Sequence, residues 1–212
     1  MLKIRLAIFA IVGMAALLPI ARASVVVYDL TSPGCTGCPT GTVGTITVTS
    51  GATSNILSVV ESLAPNVFAD TGAGASLGYT TNEAAPVSLL STGFTATPLV
   101  GETVSGFGTF GSTINCTGCG PGTSPPNFSL LSFTLTGASG PLAFDANALG
   151  FFFVSDIGIT NSSGFVIFTG NVGAMGPGGG GGGGGGPTPE PATYLLLGTG
   201  LVGLSILKRK MA

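Results

Sequence analysis

Short apolar and alternating runs, bounded by Gly, Pro, Asn and Ser, recur along the middle of the chain. Such runs indicate β strands, and Lys, Arg and Glu, which favour helices, are scarce there. The predicted strands cover residues 25–30, 45–49, 56–63, 87–94, 128–136, 151–156 and 165–169. In the run 128–136 the side chains of Leu131, Phe133 and Leu135 share one face. One short helix is predicted over residues 142–149.

Many short strands at regular spacing predict an all-β fold, an antiparallel β-sandwich or jelly-roll-like domain over residues 24–174. A domain of this length can bury a core. The chain has 13 phenylalanines, which supply apolar area for burial. Their number argues against the alternative of a disordered matrix protein.

The N-terminus has the pattern of a secretory signal. Two basic residues precede the apolar run 6–18, and Ala21 and Ala23 give the small-x-small pattern that signal peptidase accepts. We predict a signal-peptide helix over residues 1–23, cleaved before Ser24. A retained membrane anchor is the alternative, but the run is shorter than the roughly 20 apolar residues that span a bilayer.

The C-terminus begins with a glycine linker. Residues 178–186 are all glycine, and glycine supplies no side chain for a core and opposes order through its backbone entropy. We predict a flexible linker over residues 175–187, with an r.m.s. reach of roughly 20 Å.

A tripeptide, an apolar stretch and a basic end follow the linker. Residues 192–207 are predicted to form a transmembrane helix, and the basic end should stay cytoplasmic. The residues that flank this helix are Pro189, Glu190, Pro191, Lys208, Arg209 and Lys210.

These features, in this order, resemble the PEP-CTERM sorting tail over residues 188–212. The resemblance implies that an exosortase recognises the tail, cuts near Pro189-Glu190-Pro191 and passes the protein outward. It also implies an inner-membrane-tethered intermediate, then the cell surface or the extracellular matrix of a Gram-negative bacterium that makes exopolysaccharide or biofilm. An ordinary C-terminal membrane anchor is the alternative.

The charges are strongly segregated. All basic residues lie in the two terminal segments, and the span between them carries seven acids and no Lys, Arg or His. These acids are Asp29, Glu61, Asp70, Glu83, Glu102, Asp145 and Asp156. So acidic a domain is a poor partner for nucleic acid. Polysaccharide, bound through hydrogen bonds, is a candidate partner. Calcium is a candidate ligand, but no D-x-D-x-D-G loop is present and no metal site is assigned.

The four cysteines form two Cys-Thr-Gly-Cys motifs, Cys35 with Cys38 and Cys116 with Cys119. Two such pairs can hold zinc or support redox chemistry. Export to an oxidising compartment favours disulfides instead. All three connectivities stay open at this stage.

Motifs typical of catalysis are few. Without histidine, a Ser-His-Asp or Cys-His pair cannot be built. Asp70-Thr71-Gly72 resembles the Asp-Thr-Gly of aspartic proteases, but one copy would require a dimer, and a turn is the simpler interpretation. The motif Gly106-x-Gly108-x-x-Gly111 is predicted to be a glycine-punctuated strand and not a phosphate loop.

The sequence therefore predicts a non-enzymatic, exported structural or adhesion protein without a cofactor. Signal peptidase and exosortase are its expected processing enzymes, and the membrane is its expected temporary anchor. Two alternatives are a secreted carboxylate-dependent hydrolase acting through Asp70 and a passive disordered matrix protein.

Overall fold

The computed structural model describes residues 23–33, 40–51, 55–70, 75–97, 101–117, 119 and 128–178, which belong to one compact unit ending at Gly178. Within these ranges all regular elements are β strands and no helix is present. The all-β, antiparallel prediction is therefore confirmed. The helices predicted for the signal peptide and for the tail lie outside the described residues.

The strand bounds follow the chain in this order. They are β1 (Val25–Leu30), β2 (Ser32–Pro33), β3 (Gly44–Ser50), β4 (Ile56–Leu63), β5 (Val67–Ala69), β6 (Leu77–Tyr79), β7 (Val87–Leu89), β8 (Phe94–Thr97), β9 (Glu102–Val104), β10 (Gly108–Phe110), β11 (Ser112–Cys116), β12 (Leu130–Thr136), β13 (Phe153–Thr160) and β14 (Val166–Ala174).

The strands form two sheets and one separate hairpin, all with antiparallel pairing. Sheet A has the order β1-β3-β4-β12-β7. Sheet B has the order β2-β14-β13-β6-β11-β8, and β5 also pairs with β13. The hairpin consists of β9 and β10.

Alternation along the strands of sheet A places one face of the sheet in a core that it shares with sheet B. On β12, Leu131, Phe133 and Leu135 are buried, as predicted, and the residues between them are partly exposed. Phe153 of sheet B belongs to the same hydrophobic cluster. The rings of Tyr79, from sheet B, and Phe133 stack with centroids 5.6 Å apart. Each large side chain buried in this way stabilises the fold by roughly 1.5–3 kcal/mol.

The central part of the outer face of sheet B is covered as well. Residues 153–158 of β13 are buried on both faces of the sheet. Val154 lies in a second hydrophobic cluster with Val104, Phe107 and Phe110, which the β9–β10 hairpin carries across the sheet. This cover explains why residues 151–154 are continuously apolar and do not alternate.

The motif with three glycines belongs to this hairpin. Gly106 and Gly108 have φ values of 83° and 87°, which favour glycine. Because β9 and β10 pair directly across this turn, the segment is a β-hairpin and no helix follows it in the described residues.

The helix predicted over residues 142–149 is wrong. This segment is irregular, and only Phe144 makes a β-bridge there, to Thr81. The Asn147 side chain accepts hydrogen bonds from the backbone N–H groups of Leu149 and Phe151, both at 3.0 Å. Such side-chain bonds compete with the backbone pattern of a helix.

The single strand predicted over residues 87–94 is also wrong, because the chain changes sheets there. β7 ends at Leu89 in sheet A, and β8 begins at Phe94 in sheet B. Between them Gly93 has a φ of 85°, and a Cβ atom there would lie 2.7 Å from the Phe128 ring. A glycine turn therefore makes the crossover.

Candidate functional site

The two ends of the folded unit meet at β1, the edge strand of sheet A. At its start, the Ser24 N–H donates to Ser50 Oγ at 3.0 Å, and the Ser50 N–H donates to the Ser24 carbonyl at 2.9 Å. Ala23 and Ser24 are exposed. The bond predicted for signal peptidase thus lies on the surface, directly before β1, while Ala21 lies outside the described residues.

The start of the glycine run docks on the same strand. Pro177 forms an antiparallel bridge with Tyr28, and the Gly178 N–H donates to the Val27 carbonyl at 2.5 Å. A Cβ atom on Gly178 would lie 2.5 Å from Asp29 Oδ2, so the Asp29 side chain would have to turn away to accept any other residue there. The chain therefore leaves the described unit from the outer edge of β1.

The segment that follows carries a known signal. A model of the PEP-CTERM protein-sorting motif matches residues 187–210. The C-terminal tail is a PEP-CTERM sorting motif. No curated protein and no solved structure matches the chain.

The PEP-CTERM motif implies export, processing by an exosortase and a membrane-anchored sorting intermediate. All six sorting residues named from the sequence, Pro189 to Pro191 and Lys208 to Lys210, fall inside the matched segment and outside the described residues. In the part of the chain that the structure describes, no helix is long and apolar enough to cross a membrane.

Asp70 is buried, directly after β5. Its backbone N–H donates to the Asp156 carbonyl at 2.9 Å, and its own carbonyl accepts from Ser76 Oγ at 3.0 Å. Only 1% of its surface is exposed. A substrate therefore has no open approach to this carboxyl group. Thr71 and Gly72 of the protease-like motif lie outside the described residues.

Glu61 is a buried acid that the sequence reasoning did not single out. It lies on β4, points into the core with 1% exposure, and is paired in register with Ile46 and Leu131 on the neighbouring strands. Burial raises the pKa of Glu61 to about 7, and a hydrogen bond from the side chain of Ser155 opposes this shift. Its Oε1 atom has no hydrogen-bond partner among the described residues.

The signal for Glu61 was present in the sequence. Within the predicted strand 56–63, residue 61 has the same parity as Leu57, Val59 and Leu63, which are buried. Alternation alone therefore places the carboxyl inward. The described residues contain no group of three or more His, Cys, Asp or Glu side chains arranged to hold a metal ion.

Cys116 and Cys119 form a disulfide with a Cα–Cα distance of 5.4 Å. This local bridge excludes both connectivities that join the two motifs. Its closed loop is short, so it stabilises the fold by only about 2 kcal/mol in the chain-entropy model. The Cys116 N–H donates to Ser76 Oγ at 3.0 Å, which ties the bridge to sheet B. Cys35 and Cys38 lie outside the described residues.

A small cavity of about 180 Å³ opens beside the start of β1. Its lining is mostly apolar, with serine hydroxyls as its side-chain polar groups apart from Tyr28. The lining residues are Ser24, Val26, Tyr28, Val48, Ser50, Leu57, Leu142, Ala143 and Phe144. The cavity brings together no carboxylate, thiol or amide side chain.

Proposed function

We propose that this protein is an exported structural or adhesion module, displayed at the cell surface or in the extracellular matrix through its PEP-CTERM motif. Its domain is a β-sandwich that acts by binding and display and carries no catalytic site. The observation that supports this most directly is the sorting motif at residues 187–210, which follows a folded unit that ends at Gly178.

The arrangement at β1 supports the same proposal. The two expected processing sites flank the strands, one before Ser24 and one beyond Gly178, and we expect that neither requires the core to open. Nine glycines, beginning at Gly178, lie in the sequence between the last strand and the sorting motif, and we expect a linker of this composition to leave the tripeptide accessible to the exosortase.

A sorting experiment tests this function. The full chain is produced in a bacterium that contains an exosortase, and cell, membrane and released fractions are analysed by mass spectrometry. We expect a wild-type product that begins at Ser24 and leaves the inner membrane. Changing Pro189, Glu190 and Pro191 together to alanine should hold the protein in the membrane fraction.

The matched control is Thr188→Ala, which changes the neighbouring residue and keeps the tripeptide. It should be sorted like the wild type. Equal release of the tripeptide variant and the wild type would contradict the proposal, as would a cytosolic product with both ends intact.

A further inference from the structure

The outer face of sheet A has an unusual composition. Its three central strands, β3, β4 and β12, present eleven outward side chains, of which eight carry hydroxyls, three are apolar and none is charged. We name the eight hydroxyl residues the hydroxyl face. They are Thr45, Thr47, Thr49, Ser58, Ser62, Ser132, Thr134 and Thr136.

Strand register aligns some of these groups in a row. Thr49 pairs with Ser58, Ser58 with Thr134, and Thr134 with Ser88 on β7. Four hydroxyls therefore cross four neighbouring strands. With strands about 4.8 Å apart, the row is about 14 Å long.

The hydroxyls are available to a ligand. In the described part of the chain, none of the eight side chains of the hydroxyl face hydrogen-bonds to another protein group. Each hydroxyl can donate one hydrogen bond and accept two. Solvent-facing sheets usually carry charges, which keep a protein soluble and keep sheets apart. In this sheet the three central strands carry no outward charge. The nearest charged residue in register is Asp29 on β1, which pairs with Thr45.

The chemistry of the face selects its partner. A polymer that is itself rich in hydroxyls and uncharged offers the matching donors and acceptors, and it meets no charge that must lose water. The apolar residues Ile56, Val60 and Leu130 among the hydroxyls can contact the C–H surfaces of sugar rings. An anionic polymer would be repelled by a domain with seven acids and no basic residue.

We propose that the hydroxyl face binds an uncharged polysaccharide. This inference rests on the proposed function, since an exported protein is the one that meets such polymers. Single hydroxyl contacts are weak, but a long chain can contact several residues of the hydroxyl face at once, which raises the overall affinity.

Co-sedimentation of the purified full chain, in mild detergent, tests this proposal. The probes are microcrystalline cellulose, starch granules and insoluble β-1,3-glucan, with alginate beads as the anionic comparison. We expect binding to at least one neutral glucan, unchanged between about 0.05 and 1 M NaCl because no ion pair is involved, and no binding to alginate.

The variant T49V/S58A/T134V removes three hydroxyls from the row and should weaken glucan binding about tenfold. The matched control S162A/S163A/T169V removes three exposed hydroxyls from the β13–β14 hairpin of sheet B and should bind like the wild type. Circular dichroism of both variants should match the wild type.

Three outcomes overturn the proposal. The first is that the wild-type protein sediments with none of the neutral glucans, and the second is that the row variant binds glucan as well as the wild type. The third is that the wild type binds no glucan but forms a dimer, and the row variant is a monomer. This third outcome would assign the hydroxyl face to contact with a second copy of the chain. The assay uses purified protein, so its failure is distinct from a failure of sorting.

Discussion

The outer faces of the two sheets are built in opposite ways. Sheet A turns the hydroxyl face toward solvent, with Leu130 52% exposed beside Ser62. Sheet B covers the central part of its outer face with the β9–β10 hairpin, where Phe110 has no exposed surface. Only one face of each strand in sheet A is committed to the core, whereas β13 is committed on both.

This difference separates the strands that contribute most to stability from the strands that leave a surface open to a partner. A strand buried on both faces removes the side chains of both faces from water, so apolar residues are favoured at every position along it. A strand buried on one face can vary on the other without cost to the core. The face of sheet A is therefore free for function, and the covered face of sheet B is not.

The largest effect that tests this comparison is expected at Phe110. Phe110→Ala would remove a fully buried ring from the outer face of sheet B and should lower the free energy of unfolding by about 3–5 kcal/mol. Leu130→Ala, on the outer face of sheet A, should change it by less than about 1 kcal/mol. Urea denaturation measures both, and equal losses would show that the two faces do not differ.

Glu61, which lies in the core between the two sheets, is expected to make the stability of the protein depend on pH. Its folded-state pKa is raised to about 7 by burial, so the folded protein holds a proton that the unfolded chain has already released. The contribution of protonated Glu61 to the free energy of unfolding is fully present below the pKa of the unfolded chain, near 4.3. It is lost as the pH rises through the pKa of the folded protein. The loss is about 4 kcal/mol.

Glu61→Gln should remove this pH dependence. The free energy of unfolding of the wild type minus that of the variant, measured by denaturation from about pH 4 to pH 8, should fall as pH rises. Other acids are present in both proteins and cancel in the difference. A difference that stays flat over this range would contradict a neutral, buried Glu61.

A smaller effect is expected at Gly173, where β14 passes beneath two rings. A Cβ atom there would lie 2.7 Å from both Phe107 and Phe151, so Gly173→Ala should destabilise the protein by about 1–3 kcal/mol through overpacking. Gly176→Ala is the control, because nothing lies within 4 Å of a Cβ atom there. The midpoints of thermal unfolding of the two variants measure this difference. A Gly173 variant as stable as the Gly176 variant would show that Phe107 and Phe151 do not pack tightly against sheet B.

The longer strands that turn residues bound on both sides could be predicted from the sequence. β1 and β4 have the predicted bounds, Val25–Leu30 and Ile56–Leu63, because each is a mostly apolar, β-branched run that begins and ends at turn-forming residues. The three-residue strands β5 and β6 are too short for a period to be visible, and both are buried throughout. The crossover at Gly93 depends on packing against Phe128, which lies far along the chain.

The candidate sites divide in the same way. The PEP-CTERM tail could be predicted, because its signal is a linear order of residues that needs no fold. The row from Thr49 to Ser88 could not, because it depends on the pairing of β4 with β12 and of β12 with β7. Register between strands so distant along the chain is set by turns and packing and not by local pattern.

The docking of Gly178 on β1 also has a mechanical consequence. Because the chain leaves the folded unit at this point, tension between an anchored tail and a bound partner enters sheet A at its outermost strand. There it meets the hydrogen bond to Val27 and the bridge to Tyr28, and beyond them the covalent chain carries the load into β14, which pairs with β13. A module pulled by its tether would therefore release Pro177 and Gly178 from β1 first, and the load would then reach sheet B at the C-terminal end of β14.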